Sequence, residues 1–221
     1  MAKKTYFITG TDTGVGKTYI ACALLKAFAK AGKTTMALKP IAAGCEESEQ
    51  GLCNDDALAL QQAATVKLDY ALINPFALKA ATAPHIAAAL EGRRLTLDRV
   101  AGMCRGTLMT KADICLIEGA GGWRVPLNDR ESLSQLPAAL QTPVILVVAV
   151  RLGCLNHALL TAEAIIRDGL PLAGWVANCM EPDMPNLQAN IETLKTLIPA
   201  PCLGVVGFAE DQVDVTDLLC E

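Results

Sequence analysis

The residues best suited to chemistry form a glycine-rich segment, Gly-Thr-Asp-Thr-Gly-Val-Gly-Lys-Thr, over residues 10–18. The segment directly follows an apolar run typical of a strand and opens a stretch with helical periodicity. In that position, successive backbone N–H groups and the positive end of a helix point at a phosphate group. Lys17 would pair with β- and γ-phosphate oxygens, and the Thr18 hydroxyl would bind Mg²⁺. The segment therefore predicts a nucleoside triphosphate site.

The spacing of this segment differs by one residue from the usual phosphate-loop pattern, in which four residues separate the first glycine from Gly-Lys-Ser/Thr. Five residues lie between Gly10 and Gly16. An ordinary glycine-rich turn is the simpler alternative. Because a strand-like run precedes the segment and a helix-like stretch follows it, we favour the phosphate-binding interpretation.

A second segment, residues 114–122, is an apolar strand-like run that ends in Glu118 and continues with small residues. A carboxylate at that strand end would reach Mg²⁺ beside the phosphate loop, and the glycines would let backbone approach the γ-phosphate. A plain strand and turn is the alternative for this segment alone. Asp55 or Asp56 offers a further oxygen ligand, although either could be only a helix cap.

Lys39 ends another strand-like run, residues 35–39. A lysine at the end of a buried strand is costly unless it meets an anion, and a phosphate crevice would supply one. The alternative is an ordinary surface lysine.

The elements that would position these residues alternate along the chain between strand-like apolar runs and stretches with helical periodicity. Strand-like runs cover residues 6–9, 35–39, 114–118, 144–150, 172–177 and 203–208, and stretches such as 19–30 and 158–167 have helical spacing. This alternation predicts an α/β fold of the P-loop NTPase type, a mostly parallel sheet with helices on both faces. We expect one ATP-binding domain over residues 1–221. The irregular stretches 42–53 and 72–84 are expected to contribute substrate contacts at the carboxyl ends of the strands.

Composition excludes several classes of function. The 221 residues carry 19 Lys and Arg against 23 Asp and Glu, a net charge of −4, which argues against binding nucleic acid or an anionic membrane. No apolar run approaches the length of a membrane span, and the N-terminus lacks a signal-peptide pattern, so we expect a cytoplasmic protein. Nine cysteines without a Cys-x-x-Cys pair predict reduced core thiols. Cys154 and His157 have no second pair with which to complete a zinc site.

The motifs together resemble the dethiobiotin synthetase family, ATP-dependent enzymes that close a ring in biotin synthesis. The extra residue in the phosphate loop is the form that this family uses. The matching segments follow one another in the family's order and cover residues 10–18, 39–42, 54–58, 74–76, 84–85, 118–122, 152–157 and 174–178.

The resemblance implies a role for each matching residue. Lys39 and Lys17 would be the catalytic cations. Mg²⁺ would be bound by Thr18, Asp56 and Glu118. The nucleotide would contact Gly14, Val15, Gly16, Lys17, Thr18, Tyr19, Asp56, Glu118, Gly119, Ala120, Gly121, Asn178, Gly207, Phe208 and Ala209, with Asn178 reading the adenine edge. The substrate would contact Ala43 and, from a neighbouring subunit, the helix start formed by Gly153, Cys154, Leu155 and Asn156. Many members have Ser or Thr at the position of Ala43, so a hydroxyl contact would be absent here.

The resemblance also implies the reaction and its partners. A homodimer would bind ATP, CO₂ and 7,8-diaminononanoate (7,8-diaminopelargonate) and form dethiobiotin, ADP and phosphate. The alternative from another class is a regulatory ATPase of the partition or positioning type, with a deviant phosphate loop. Such proteins carry a signature lysine where this chain has Asp12. A glutamine-dependent amidating synthetase would need a further domain. An inactive binding module would not need the four residues Lys17, Thr18, Lys39 and Glu118 together. His85 and His157 are expected to be structural.

Overall fold

The computed structural model describes residues 3–49, 51–181, 183–207 and 213–219. The strands are β1 (Lys4–Gly10), β2 (Thr35–Leu38), β3 (Ile41–Ala43), β4 (Glu46–Ser48), β5 (Gly51–Cys53), β6 (Phe76–Leu78), β7 (Ile114–Glu118), β8 (Val144–Ala149), β9 (Leu172–Asn178) and β10 (Cys202–Val206). The helices are α1 (Lys17–Lys30), α2 (Asp55–Ala63), α3 (Tyr70–Ile73), α4 (Pro84–Leu90), α5 (Leu97–Leu108), α6 (Gln135–Leu140), α7 (Cys154–Arg167), α8 (Leu187–Leu197) and α9 (Thr216–Leu219).

Six of these strands form one sheet in the order β10-β9-β8-β1-β7-β2, and every neighbouring pair is parallel. The continuous apolar runs that predicted strands buried on both faces are buried along their whole length in β7 and β8. Because the strands are parallel, the ends of β1, β2 and β7 bring Gly10, Lys39 and Glu118 to the same edge of the sheet.

Helices cover both faces of the sheet, as predicted. Successive residues of β1 point to opposite faces, so Phe7 packs in one core and Ile8 in another. The first core includes Val100 and Cys104 of α5, and the second includes Ile20 of α1. A third core lies where α7 and α8 pack on β8 and β9. Trp175 of β9 is fully buried there.

The two stretches predicted to be irregular contain short strands that their composition did not indicate. β3 pairs in parallel with β6, and β4 forms an antiparallel hairpin with β5. Three-residue strands are too short to show the alternation on which the sequence interpretation depends. The last strand ends at Val206 rather than at the predicted residue 208, and Phe208 and Ala209 lie outside the described residues.

Two further expectations concern cysteines and membranes. No disulfide joins the cysteines in the described part of the chain, and six of the eight cysteines there are buried, while their reduced state stays a prediction. Within the same ranges, no helix combines the length and the apolar character that crossing a bilayer requires.

Candidate functional site

The predicted phosphate loop joins the end of β1 to the first residue of α1. Gly14 and Gly16 have φ angles of 72° and 85°, in the left-handed region that favours glycine. A Cβ at Gly10 would lie 2.4 Å from Val15 Cγ2, so that position also requires glycine. The loop opens directly into α1, with Gly16 as its N-cap, and the unpaired N–H groups of a first helical turn are suited to an anion.

Asn178, the last residue of β9, holds this loop from the side. Its Nδ2 donates a 2.9 Å hydrogen bond to the Val15 carbonyl. A Cβ at Gly16 would lie 2.1 Å from the same nitrogen, so the contact depends on the absence of a side chain at Gly16. The structure therefore brings Asn178 against the phosphate loop, where one of the two N–H donors of its side-chain amide is already used. Its role towards adenine stays a prediction.

A cluster of charged side chains lies beside the loop. Lys39 forms ion pairs with Glu118 and with Asp56, the latter at 3.1 Å from Nζ to Oδ2. Lys39 also donates to the Gly119 carbonyl at 3.2 Å. The Thr18 hydroxyl donates to Glu118 Oε1 at 2.9 Å. The three residues predicted to bind Mg²⁺ and the predicted catalytic Lys39 are thus in direct contact.

Burial and neighbouring charges shift the pKa values of this cluster in different directions. Burial lowers the pKa of Lys17 to about 8, and the positive charge of Lys39 adds to this effect. Burial also opposes the charge on Lys39, but Glu118 and Asp56 outweigh it and raise the pKa of Lys39 above its usual value. Burial would raise the pKa of Asp56, but Lys39 lowers it. Lys39 and Asp56 therefore stay charged near neutral pH.

The cluster and the loop line one cavity of about 900 Å³. Its walls include the predicted catalytic Lys39 and half of the predicted nucleotide and substrate residues, namely Gly14, Gly16, Lys17, Thr18, Tyr19, Ala43, Asp56, Glu118, Ala120 and Gly121. Asn54 and Arg124 also line it, and sequence reasoning gave neither a role. Asn54 was part of a matched segment, whereas no motif pointed to Arg124.

The predicted substrate-binding helix start, residues 153–156, does not line this cavity. It opens α7, with Gly153 as the N-cap at φ 92°. The preceding Leu152 is 96% exposed. Arg151 makes an exposed ion pair with Asp12 of the phosphate loop at 3.3 Å. The helix start therefore lies on the surface of its own chain, next to the loop. Four predicted nucleotide residues also lie outside the cavity lining, namely Val15, Gly119, Asn178 and Gly207.

The oxygen atoms of the cluster suit a hard cation. Thr18, Asp56 and Glu118 offer a hydroxyl and two carboxylates, the donors that Mg²⁺ prefers. Glu118 Oε2 is buried and has no hydrogen-bond partner, although a buried carboxylate oxygen normally has one. No group of three or more His, Cys, Asp and Glu residues in the described ranges could hold a metal. Mg²⁺ is usually bound by one or two carboxylates together with water and substrate phosphates, and Asp56 and Glu118 offer two carboxylates.

Known proteins with similar sequences cover nearly the whole chain. A family model described as an AAA domain matches residues 4–215. The ATP-dependent dethiobiotin synthetase BioD of Cellvibrio japonicus is 60% identical over 227 residues and covers 99% of both chains. The BioD of Marinobacter nauticus is 55% identical over 212 residues, which are 96% of this chain and 91% of that relative.

Solved structures with a similar fold are more distant in sequence. The signal recognition particle receptor FtsY from Elizabethkingia anophelis, in complex with GDP, matches with a TM-score of 0.62 and 13% identity over 96% of this chain. The chain spans only 60% of that FtsY chain. The septum site-determining protein MinD from Pyrococcus horikoshii, complexed with Mg-ADP, matches with a TM-score of 0.55 and 17% identity. The match covers 93% of this chain and 82% of the MinD chain. At these identities the likeness shows the fold alone, and it confirms the predicted α/β, P-loop NTPase-type architecture.

Proposed function

The chain belongs to the family of ATP-dependent dethiobiotin synthetases, and from that premise we propose how its residues share the work of the reaction. It is an ATP-dependent ligase of biotin biosynthesis. The reaction joins CO₂ to 7,8-diaminononanoate and closes the ring of dethiobiotin, while ATP becomes ADP and phosphate.

The reaction has three steps. One substrate amine adds to CO₂, forming a carbamate and losing a proton. A carbamate oxygen then attacks the γ-phosphorus of ATP, which breaks the bond to ADP and gives a carbamic–phosphoric anhydride. The second amine attacks the carbonyl carbon and loses a proton, and phosphate leaves as the cyclic urea forms. No protein nucleophile is required, so the protein acts by positioning and by charge stabilisation.

Lys17 and Lys39 supply that stabilisation. Lys17 begins α1 next to the loop and would pair with the β- and γ-phosphates. Lys39 would hold the carbamate and the phosphoryl group during transfer. Lys39 already has carboxylate partners at a fixed place on the cavity wall, which supports its role as a preorganised cation. The observation that carries the proposal is that both ammonium groups line the same cavity as the phosphate loop.

Mg²⁺ would be bound by Thr18, Asp56 and Glu118. The buried Oε2 atom of Glu118, which has no hydrogen-bond partner, supports this assignment. When bound, the ion neutralises charge on phosphate oxygens. The phosphates would be surrounded by Gly14, Val15 and Gly16 of the loop, Tyr19 of the first turn of α1, and the turn residues Gly119, Ala120 and Gly121. The base side of the nucleotide would be contacted by Asn178, which fixes the loop through Val15, and by Gly207. Phe208 and Ala209 are proposed for the same side, but they lie outside the described residues.

The substrate would be shared between two subunits of a homodimer. Ala43 on the cavity wall would contact the diamine. Residues 153–156 do not line the cavity of their own chain, which supports the assignment of the helix start of α7 to a neighbouring crevice. There, Gly153, Cys154, Leu155 and Asn156 would bind the substrate carboxylate at the positive end of the helix. We place the enzyme in the cytoplasm, where the thiols of the core stay reduced.

ATP turnover measured with and without the diamine and bicarbonate tests this proposal. We expect ADP formation to need both compounds and to match dethiobiotin formation one to one. ATP hydrolysis that ignores the diamine but responds to DNA, membranes or a protein partner would contradict it and favour a regulatory ATPase.

A further inference from the structure

Asp168 occupies a place that helix stability does not explain. It is the C-cap residue of α7. A carboxylate at the negative end of a helix is electrostatically unfavourable. The partners of Asp168 are instead on another segment, residues 123–124, immediately after the glycine turn formed by residues 119–122.

Three hydrogen bonds join Asp168 to that segment. Trp123 Nε1 donates to Oδ2 at 2.9 Å. Arg124 donates to both carboxylate oxygens, from Nη1 to Oδ2 at 2.6 Å and from Nη2 to Oδ1 at 2.8 Å. A single exposed ion pair is usually worth little, but bidentate pairing adds geometric specificity. The Asp168 side chain is also only 25% exposed. These bonds and the charge of Arg124 lower the pKa of Asp168, so it stays ionised.

A series of direct contacts connects the indole ring of Trp123 to the reaction centre. The Trp123 ring meets the Phe7 ring edge-on, with centroids 6.4 Å apart and planes at 77°. Phe7 in turn packs so closely on Gly119 that a Cβ there would lie 3.0 Å from Phe7 Cζ. The Gly119 carbonyl accepts a hydrogen bond from Lys39 at 3.2 Å. The contacts thus run from Asp168 through Trp123, Phe7 and Gly119 to Lys39.

The glycine turn also touches the phosphate loop itself. A Cβ at Gly122 would lie 3.4 Å from the Thr11 carbonyl oxygen, and one at Gly121 would lie 3.6 Å from Thr13 Oγ1. A shift of the turn would therefore change its fit against the loop and its hydrogen bond with Lys39. Misplacement by about 1 Å can cost roughly 100-fold in rate, so the position of this turn bears directly on turnover.

We propose that Asp168 is a positioning residue, which fixes Trp123 and Arg124 and thereby holds the glycine turn against the phosphate loop and Lys39. The effect on turnover rests on the proposed function, whereas the anchoring of the turn does not. The same residue ties the end of α7 to the reaction centre of its own chain.

Hydrogen exchange and kinetics of Asp168→Ala test the proposal. We expect faster amide exchange in peptides that cover residues 119–124 and a kcat about tenfold lower at saturating ATP and diamine. Glu192→Ala is the matched control, because it removes an exposed ion pair with Lys195 on α8 and should change neither quantity. Unchanged exchange in Asp168→Ala would overturn the anchor, whether or not the wild-type protein makes dethiobiotin.

A double-mutant cycle separates positioning from general destabilisation. Trp123→Phe keeps a ring against Phe7 but loses the N–H donor, and we expect it to lower kcat in the same direction as Asp168→Ala. If Asp168 acts through Trp123, the double variant loses less than the product of the two single losses. Asp168→Glu, which keeps the carboxylate, should recover part of the kcat. Fully independent losses, or a normal kcat in Asp168→Ala beside an active wild type, would overturn the positioning role.

Discussion

Lys39 and Glu118 form an ion pair that water hardly reaches, with side-chain exposures of 6% and 0%. Removing two charges from water costs several kcal/mol per ion, so such a pair is weak evidence for a contribution to stability. Its place on the cavity wall, beside the phosphate loop, gives it a functional reason instead. Both groups are held where an incoming anion and cation would meet them.

Lys39→Ala should lower turnover by at least about 100-fold and leave nucleotide affinity within a fewfold of wild type, because Lys17 and the loop still bind the phosphates. Calorimetric titration with ADP and steady-state kinetics measure the two quantities. Lys79→Ala, which removes an exposed lysine paired with Glu47, is the control. A normal turnover number in Lys39→Ala would remove Lys39 from the mechanism. The melting temperature should also fall, since Glu118 loses its main partner.

Gly16→Ala should abolish nucleotide binding and lower the free energy of unfolding by more than about 1 kcal/mol. The new Cβ would lie 2.1 Å from Asn178 Nδ2, and alanine at φ 85° is strained. Gly102→Ala in α5 is the control, because nothing lies within 4 Å of its Cβ and helix propensity favours alanine. Calorimetry and urea unfolding measure both effects. Wild-type nucleotide affinity in Gly16→Ala would show that the loop does not hold the phosphates as proposed.

Asp56→Asn should raise the Mg²⁺ concentration needed for tight ADP binding by at least about tenfold, because an amide oxygen replaces a charged ligand. Its neighbour provides the comparison, since Asp55 is exposed in the same first turn of α2 and Asp55→Asn removes the same charge. Titrating Mg²⁺ at fixed ADP measures the shift. If both variants needed the same Mg²⁺ concentration for tight ADP binding, Asp56 would be a helix-start residue and not a ligand of the ion.

Mixed dimers should recover activity lost in each parent. Asn156→Asp puts a negative charge where the substrate carboxylate would bind, while a carboxylate near a helix N-terminus favours folding. We expect it to raise the KM for the diamine and leave the melting temperature unchanged. Co-expressed with Lys39→Ala, it should form heterodimers in which one crevice is intact. Light scattering checks for the dimer. A dimer without recovered activity would mean that each site is built from one chain.

Two buried thiols should make stability depend on alkaline pH. Burial raises the pKa of Cys104 and of Cys115 to about 12, from 9.0. Between these values the unfolded chain loses protons that the folded chain keeps, so stability should fall as pH rises above about 9. Urea unfolding at pH 8 and pH 10 measures the fall, and Cys104→Ala should show a smaller one. An equal fall in Cys104→Ala would exclude this thiol as a cause.

The sequence was sufficient where a property is local to a few residues. The continuous apolar run of β8 predicted a strand buried on both faces, and the glycine-rich segment 10–18 predicted a loop between a strand and a helix, in which Gly14 and Gly16 have positive φ angles. Glu118 and Lys39 were identified from their places at strand ends. The helical period was visible only from Ala158, whereas α7 begins at Cys154, where the family resemblance implied a helix start. The first turn of α7 carries polar and exposed residues that hide the apolar period.

By itself, the sequence determined the α/β alternation, the phosphate loop and the family, because each depends on residues that are neighbours along the chain. Only the tertiary structure decided which side chains meet. Lys39 and Glu118 are 79 residues apart, and Asn178 and Val15 are 163 apart. Asp168 and Arg124, which form hydrogen bonds with each other, are 44 residues apart. Such contacts depend on the strand order β9-β8-β1-β7-β2, which is set by the packing of the whole sheet rather than by any local pattern.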